Sequence, residues 1–211
     1  MTTALLVAAL LSLVYGLRFC AAPVSLARSM VKTGSVVALA LAAWLGSGPL
    51  LLIVALLLCA LGDWLLARDG EAVFMAGVGA FAAGHIAYVA LFLTRPETGA
   101  LTLTTPLSLG LVALGVIMAV LLWSRAGALR GPVMGYIPII LSMGIAAQSL
   151  PSTGALSLAL PAPLLFIVSD ITLAFEMFVL RAGSALRRIA PRVVWPTYWI
   201  AQLGLMLAFT G

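Results

Sequence analysis

The chain reads as an all-α, polytopic membrane helix bundle of about eight spans, a single integral membrane domain over residues 1–211. Three observations predict this. Hydrophobic residues fill 64% of the 211 positions and charged residues only 8%, where a soluble domain carries about 25% charge. Mean hydropathy is +1.24. The apolar residues fall into runs of about 20, the length a helix needs to cross the hydrocarbon core. They do not alternate with polar residues as the strands of a membrane barrel would.

The spans follow in order. The first, 3–22, has no basic leader and is followed by more membrane, so it is read as a span rather than a signal peptide. The second, 31–47, opens beside Lys32 in MVKTGS. Gly48-Pro49 turns the chain into the third, 49–67, with Pro near a helix start. Arg68-Asp69-Gly70 is a short turn into the fourth, 72–93. Gly77, Gly79 and Gly84, with Ala76, Ala80 and Ala83, make that span thin and allow close backbone approach. TRPETG, 94–99, is an outer loop before the fifth span, 101–123. The last three spans are 132–150, 156–180 and 193–210. Pro132, Pro138, Pro161, Pro163 and Pro196 lie near or within them, and interior prolines should kink those helices. The connections leave no room for a soluble domain.

The formal net charge of +5 is spread over loops rather than gathered into a patch, which argues against a nucleic-acid partner. Ten of the eleven basic residues fall after odd-numbered spans, and only Arg95 falls on the other side. By the positive-inside rule the basic end is cytoplasmic and both termini face away from it. The Ala/Leu/Arg bias and minimal loops point to a bacterial inner membrane. Cys20 and Cys59 lie in or beside apolar runs and imply no disulfide framework. Asp63 and Asp170 are 107 residues apart, as are Arg18 and Arg125. This faint echo suits a four-plus-four parallel repeat.

Function should lie in the polar residues inside the spans. An acid at membrane depth costs roughly 2.5–3.5 kcal/mol on insertion scales, so it persists where it is paired, wetted or used. Counting about 1.5 Å per residue from the basic turns puts Asp63 and Glu176 about 8 Å deep and Asp170 about 16 Å. Tyr136 and Tyr198 come out at about 9 Å, Gln202 at about 15 Å and His85 at about 21 Å. Seven polar groups from five spans thus form a layer, read as a pocket that opens inward. Tyr198 and Gln202 share a helix face, as do His85 and Tyr88. Asp170 and Glu176 should point to different places, with Glu176 answering Arg181.

Plainer roles stand beside these. Asp63 could pair with Arg68 or Lys32. Asp170 could be structural, His85 could donate to a carbonyl across a helix gap, and Gln202 could be helix glue. Trp195, Tyr198 and Trp199 suit an aromatic belt at the interface. One histidine and two scattered cysteines do not resemble a zinc set, and no metal or other cofactor is expected.

Four blocks, in this order, carry a resemblance. LGDWLLARDGEAVFMAGVGAFAAGHIAYVALF, GYIPIILSMGIA, LLFIVSDITLAF and TYWIAQLGL are similar to the ordered blocks of the YhhN-like transmembrane lysoplasmalogenase family. Lys32 sits where that family often has a lysine opening span two, although Lys-Thr replaces its common Lys-Pro. The resemblance implies hydrolysis of the vinyl ether bond of lysoplasmalogens to a fatty aldehyde and a glycerophospho-ethanolamine or -choline. The partners implied are a lysophospholipid substrate and membrane lipids. The matching positions are Asp63, His85, Tyr88, Tyr136, Asp170, Tyr198, Gln202 and Lys32.

The residues suit that chemistry. Vinyl ethers yield to acid because a proton must reach carbon, giving an oxocarbenium ion that water captures. The site needs one carboxyl that stays protonated and a second that is ionised, a division of labour seen in glycosidases. Asp170, the deeper group, is read as the acid and Asp63, closer to water, as the ionised partner. The reverse assignment stays open. His85 would tune or relay, Tyr88, Tyr136, Tyr198 and Gln202 would hold the polar part of the lipid, and Lys32 or nearby arginines would meet its phosphate. The alternative is a small proton-coupled transporter using the same acids. A non-catalytic lipid-binding or assembly factor is the third reading.

Overall fold

The computed structural model describes residues 1–68, 70–95 and 98–211. The predicted turn at Arg68-Asp69-Gly70 and the predicted loop TRPETG therefore lie partly outside the described residues. Eight α-helices are described: α1 (Thr2–Val14), α2 (Leu26–Leu45), α3 (Leu50–Leu66), α4 (Glu71–Thr94), α5 (Pro106–Trp123), α6 (Arg130–Ala147), α7 (Pro161–Phe178) and α8 (Ala185–Thr210). Seven are long and apolar enough to cross a membrane, and α3 is a shorter apolar helix of 17 residues. No strand occurs among the described residues. Each predicted span corresponds to one helix.

The differences lie at the helix starts and have local causes. The Ser25 side chain accepts from the Arg28 backbone N–H and starts α2 five residues before the apolar run. Ser184 accepts from the Arg187 N–H in the same way and starts α8 eight residues early. Arg187, Arg188 and Arg192 therefore ride on a helix rather than in a loop. Both starts use a small hydroxyl to satisfy an orphan N–H of the first turn. Thr105 caps α5, with Pro106 in its first turn. α1 passes into a wider π turn over Tyr15–Phe19, where the Cys20 N–H reaches back to the Tyr15 carbonyl.

The first half packs in chain order, α1 on α2, α2 on α3, α3 on α4. In the second half α5 packs on α6 and α7 on α8, while α6 touches α7 only lightly. α4 on α6 and α2 on α8 join the halves. Those two joins are equivalent under a four-plus-four exchange. The halves are not copies, however: α3 lies tight on α2, whereas α7 stands off α6.

The closest seam is α3 against α4. A Cβ at Gly84 would stand 2.9 Å from Cys59 Sγ and 3.2 Å from the Ala55 carbonyl oxygen. A Cβ at Gly62 would meet the Phe81 ring at 2.5 Å. The predicted thinness of α4 is thus used at Gly77 and Gly84, while Gly79 faces open space. Pro138 lies inside α6, and Pro191 and Pro196 inside α8. Beside Pro196, the Ser169 hydroxyl of α7 donates to the Val194 carbonyl at 3.0 Å and pins α7 to α8.

Candidate active site

The space left where α7 stands off α6 is a cavity of about 390 Å³. Asp63 of α3 and Asp170 of α7 both line it, with Lys32, Tyr136 and Tyr198. Arg28, Glu176 and Cys20 lie at its basic end. Its other arm is apolar, walled by Leu114 and Met118 of α5 and Ile137 and Ile140 of α6. One space therefore carries charged groups and a hydrocarbon-like wall together.

The two carboxyls have different company. Lys32 Nζ lies 2.8 Å from Asp63 Oδ1, and the Tyr198 hydroxyl donates to Oδ2 at 2.7 Å. Lys32 also lies over the rings of Trp195 and Tyr198, 5.9 Å from each centroid. Asp63 is thus wrapped, with 1% of its surface exposed. Among the described residues Asp170 has no cation bonded to it. It accepts one hydrogen bond, from the Tyr136 hydroxyl to Oδ2 at 2.5 Å, and is only partly buried. The expectation that Asp63 is closer to water is therefore corrected. Depth counted along a helix does not say which group is covered by neighbours, and Lys32 and Tyr198 cover Asp63.

Lys32 is the partner of Asp63. Arg68 instead lies over the Trp64 ring, 3.6 Å from its centroid, and donates to the Trp64 carbonyl. Glu176 is not answered by Arg181. Among the described residues it has no ion pair, and Arg28 shares the cavity lining with it. Asp170 and Glu176 line the same cavity despite their six-residue offset, because the cavity runs along α7.

His85, Tyr88 and Gln202 are fully buried and lie outside the cavity lining. Tyr88 donates to Gln202 Oε1 at 2.5 Å and ties α4 to α8. His85 Nδ1 lies 2.6 Å from the Phe81 carbonyl of its own helix, one turn back, not across a helix gap. Its Nε2 has no hydrogen-bond partner among the described residues. Its ring stands edge-on to Tyr136 and Phe166, with centroids 5.6 Å and 4.5 Å away. These three residues back the wall that holds Tyr136 and Tyr198.

The belt reading fails for both inner tryptophans. Trp195 is buried, lines the cavity and donates its indole N–H to the Ser12 carbonyl at 3.0 Å. Its ring meets Tyr15 at 4.2 Å between centroids. Trp199 is buried as well. Tyr15, Arg28 and Cys20 line the site but were not singled out from the sequence. Tyr15 looks like the end of an apolar run, and only the π turn aims its ring inward; such turns recur at functional sites. Among the described residues no group of three His, Cys, Asp or Glu side chains could hold a metal ion.

These features define a polytopic helical membrane protein in which carboxyls from two helices meet on one internal cavity. The model of the YhhN family matches residues 27–209. The chain belongs to the YhhN family. No curated protein and no solved structure matches it.

Proposed function

We propose that this protein is an intramembrane hydrolase that cleaves the vinyl ether bond of lysoplasmalogen-type lysolipids. The observation that carries the reading is the unequal pair of carboxyls on one cavity with a charged mouth and an apolar arm. Lys32 balances the charge of Asp63, so Asp63 serves as the ionised partner. Asp170 has no such counter-charge and serves as the acid. Tyr136 occupies its Oδ2, which leaves Oδ1 to carry the proton.

The reaction then balances as follows. Asp170 gives a proton to the β-carbon of the vinyl ether, and the α-carbon and ether oxygen share the resulting positive charge. The Asp63 carboxylate stabilises that cation and takes a proton from a water molecule as its oxygen bonds to the α-carbon. The hemiacetal formed collapses by breaking its bond to the glycerol oxygen, which takes the proton held by Asp63, while the hemiacetal hydroxyl gives its proton to the Asp170 carboxylate. A fatty aldehyde and a glycerophospho-alcohol leave, and both carboxyls are back in their starting states. The apolar arm suits the alkenyl chain, and the charged mouth suits the head group.

A carrier needs a path to both sides. The charged residues that line the cavity are Arg28, Lys32, Asp63, Asp170 and Glu176, and none comes from α4, α5 or α6, which favours the hydrolase over the transporter. The test is incubation of purified protein with a lysolipid panel and detection of released aldehyde by mass spectrometry. Asp63→Asn and Asp170→Asn should each lower aldehyde release by at least about a hundredfold, the lower range for losing a general acid or base. Both should stay monodisperse. Wild-type-like turnover in both variants would end this mechanism.

A further inference from the structure

Lys32 is the only lysine in the chain; the other ten basic residues are arginines. An arginine would serve as well as a counter-charge for Asp63, and its fork would hold that carboxylate through two N–H groups. What a lysine adds is an amine that can give up a proton and attack a carbonyl carbon. The surroundings suit that chemistry. Lys32 lines the cavity and keeps 23% of its side chain exposed, so a cavity occupant can reach it. A base stands beside it: Asp63 Oδ1 is 2.8 Å from Nζ, and the Tyr198 hydroxyl donates to Oδ2 at 2.7 Å. The rings of Trp195 and Tyr198, each 5.9 Å from Nζ, favour a cation there whether it is an ammonium or an iminium. Leu114, Ile137 and Ile140 wall the same space, which suits a long alkyl chain.

We propose that Lys32 is a covalent binding site for long-chain aldehydes, which it captures as a reversible imine. The ammonium first passes a proton to the Asp63 carboxylate. The freed nitrogen pair bonds to the aldehyde carbon, and the carbonyl oxygen takes the proton held by Asp63. Asp63 then removes a second proton from the nitrogen and gives it to the new hydroxyl, which leaves as water while the nitrogen pair closes the C=N bond. The result is an iminium, so one positive charge still faces the Asp63 carboxylate and the ion pair survives. Water reverses each step, so the aldehyde is held rather than consumed and no further reactant is needed. The origin of the aldehyde rests on the hydrolase reading above: cleavage between Asp63 and Asp170 would release it beside this amine, and the protein would be slowed by its own product.

The test supplies the aldehyde directly. Purified protein in an amine-free detergent is incubated with hexadecanal and cyanoborohydride, which reduces an imine to a stable secondary amine. Intact-mass and peptide mass spectrometry then locate the added hexadecyl group, with the N-terminal amine of the chain as internal reference. Lys32 should be alkylated at least about tenfold faster than that reference, a small part of what a held geometry can give. Lys32→Arg should lose this adduct and keep the N-terminal one. Labelling of Lys32 no faster than the reference, as expected of a lysine that only balances Asp63, would overturn the proposal. So would an unchanged yield of adduct in Lys32→Arg. A saturated lysolipid in excess should protect Lys32 and leave the reference unchanged; fast labelling without protection would keep the aldehyde site and count against the lysolipid reading. Fast labelling in a protein that releases no aldehyde from vinyl ether lipids would keep the site and remove the hydrolase.

Discussion

Lys32 and Asp63 form an ion pair whose members are not equally trapped. The Lys32 side chain keeps 23% of its surface exposed and sits in the second turn of α2, whereas Asp63 keeps 1%. A long cationic side chain can withdraw toward the interface if its partner is removed. A buried carboxylate has no such route, and stranding one charge of a buried pair costs about 3 kcal/mol or more. Lys32→Met should therefore destabilise the purified protein by about 3 kcal/mol, and Asp63→Asn by distinctly less. The double variant should recover much of the Lys32→Met loss, because it leaves no stranded charge. Thermal unfolding in one detergent, followed across the three variants, measures the order. If Asp63→Asn proves the worse single change, the pair is not the buried, asymmetric one described. The two acids were legible in the sequence because each interrupts an apolar run. The pairing of Asp63 with Lys32 rather than Arg68 was left open, since it depends on how α2 leans on α3. Nothing in the run around Tyr15 signals its place in the wall, because a π turn is a departure from helical spacing.

At the scale of elements, the site depends on α3 and α4 lying close enough to set Asp63 and the wall behind it. Their seam is closed by Gly62 and Gly84, and Phe81, which fills the space beside Gly62, also lines the cavity and stands edge-on to Tyr198. A side chain at Gly84 would press on backbone as well as on Cys59, so the seam must widen rather than adjust a rotamer. Gly84→Leu should destabilise the fold by about 1–3 kcal/mol, the usual cost of overpacking. Gly79→Leu, on the same helix and facing open space, should change it little. Equal losses at both positions would show that α4 needs glycine for a reason other than this seam. The helices themselves were readable, since length and hydropathy decide them. The starts of α2 and α8 were not, because a serine cap adds a polar helical turn that a hydropathy window assigns to the loop. That matters for the site: one of the two turns so missed holds Arg28, which lines the cavity.

For the whole molecule, charge decides orientation. Ten of the eleven basic residues gather at the end where the cavity has its charged mouth. Three of them, Arg187, Arg188 and Arg192, ride on the first turns of α8, whose neighbours Leu186 and Ile189 are exposed. A helix that presents arginines beside exposed apolar residues suits an anionic leaflet surface, where each basic residue gains about 1 kcal/mol. If that end is cytoplasmic, the lysolipid proposed as substrate would reach the acids from the inner leaflet. The odd-numbered turns would face the cytoplasm, and Met1 and Gly211 the opposite side. Paired reporter fusions decide this in a bacterial host. Alkaline phosphatase fused after Gly211 should be active and green fluorescent protein there dark, while in the turn between α5 and α6 the two signals should exchange. The reverse pattern would put the charged mouth on the outer face, and the lipid pool reaching the two carboxyls would then be the outer leaflet.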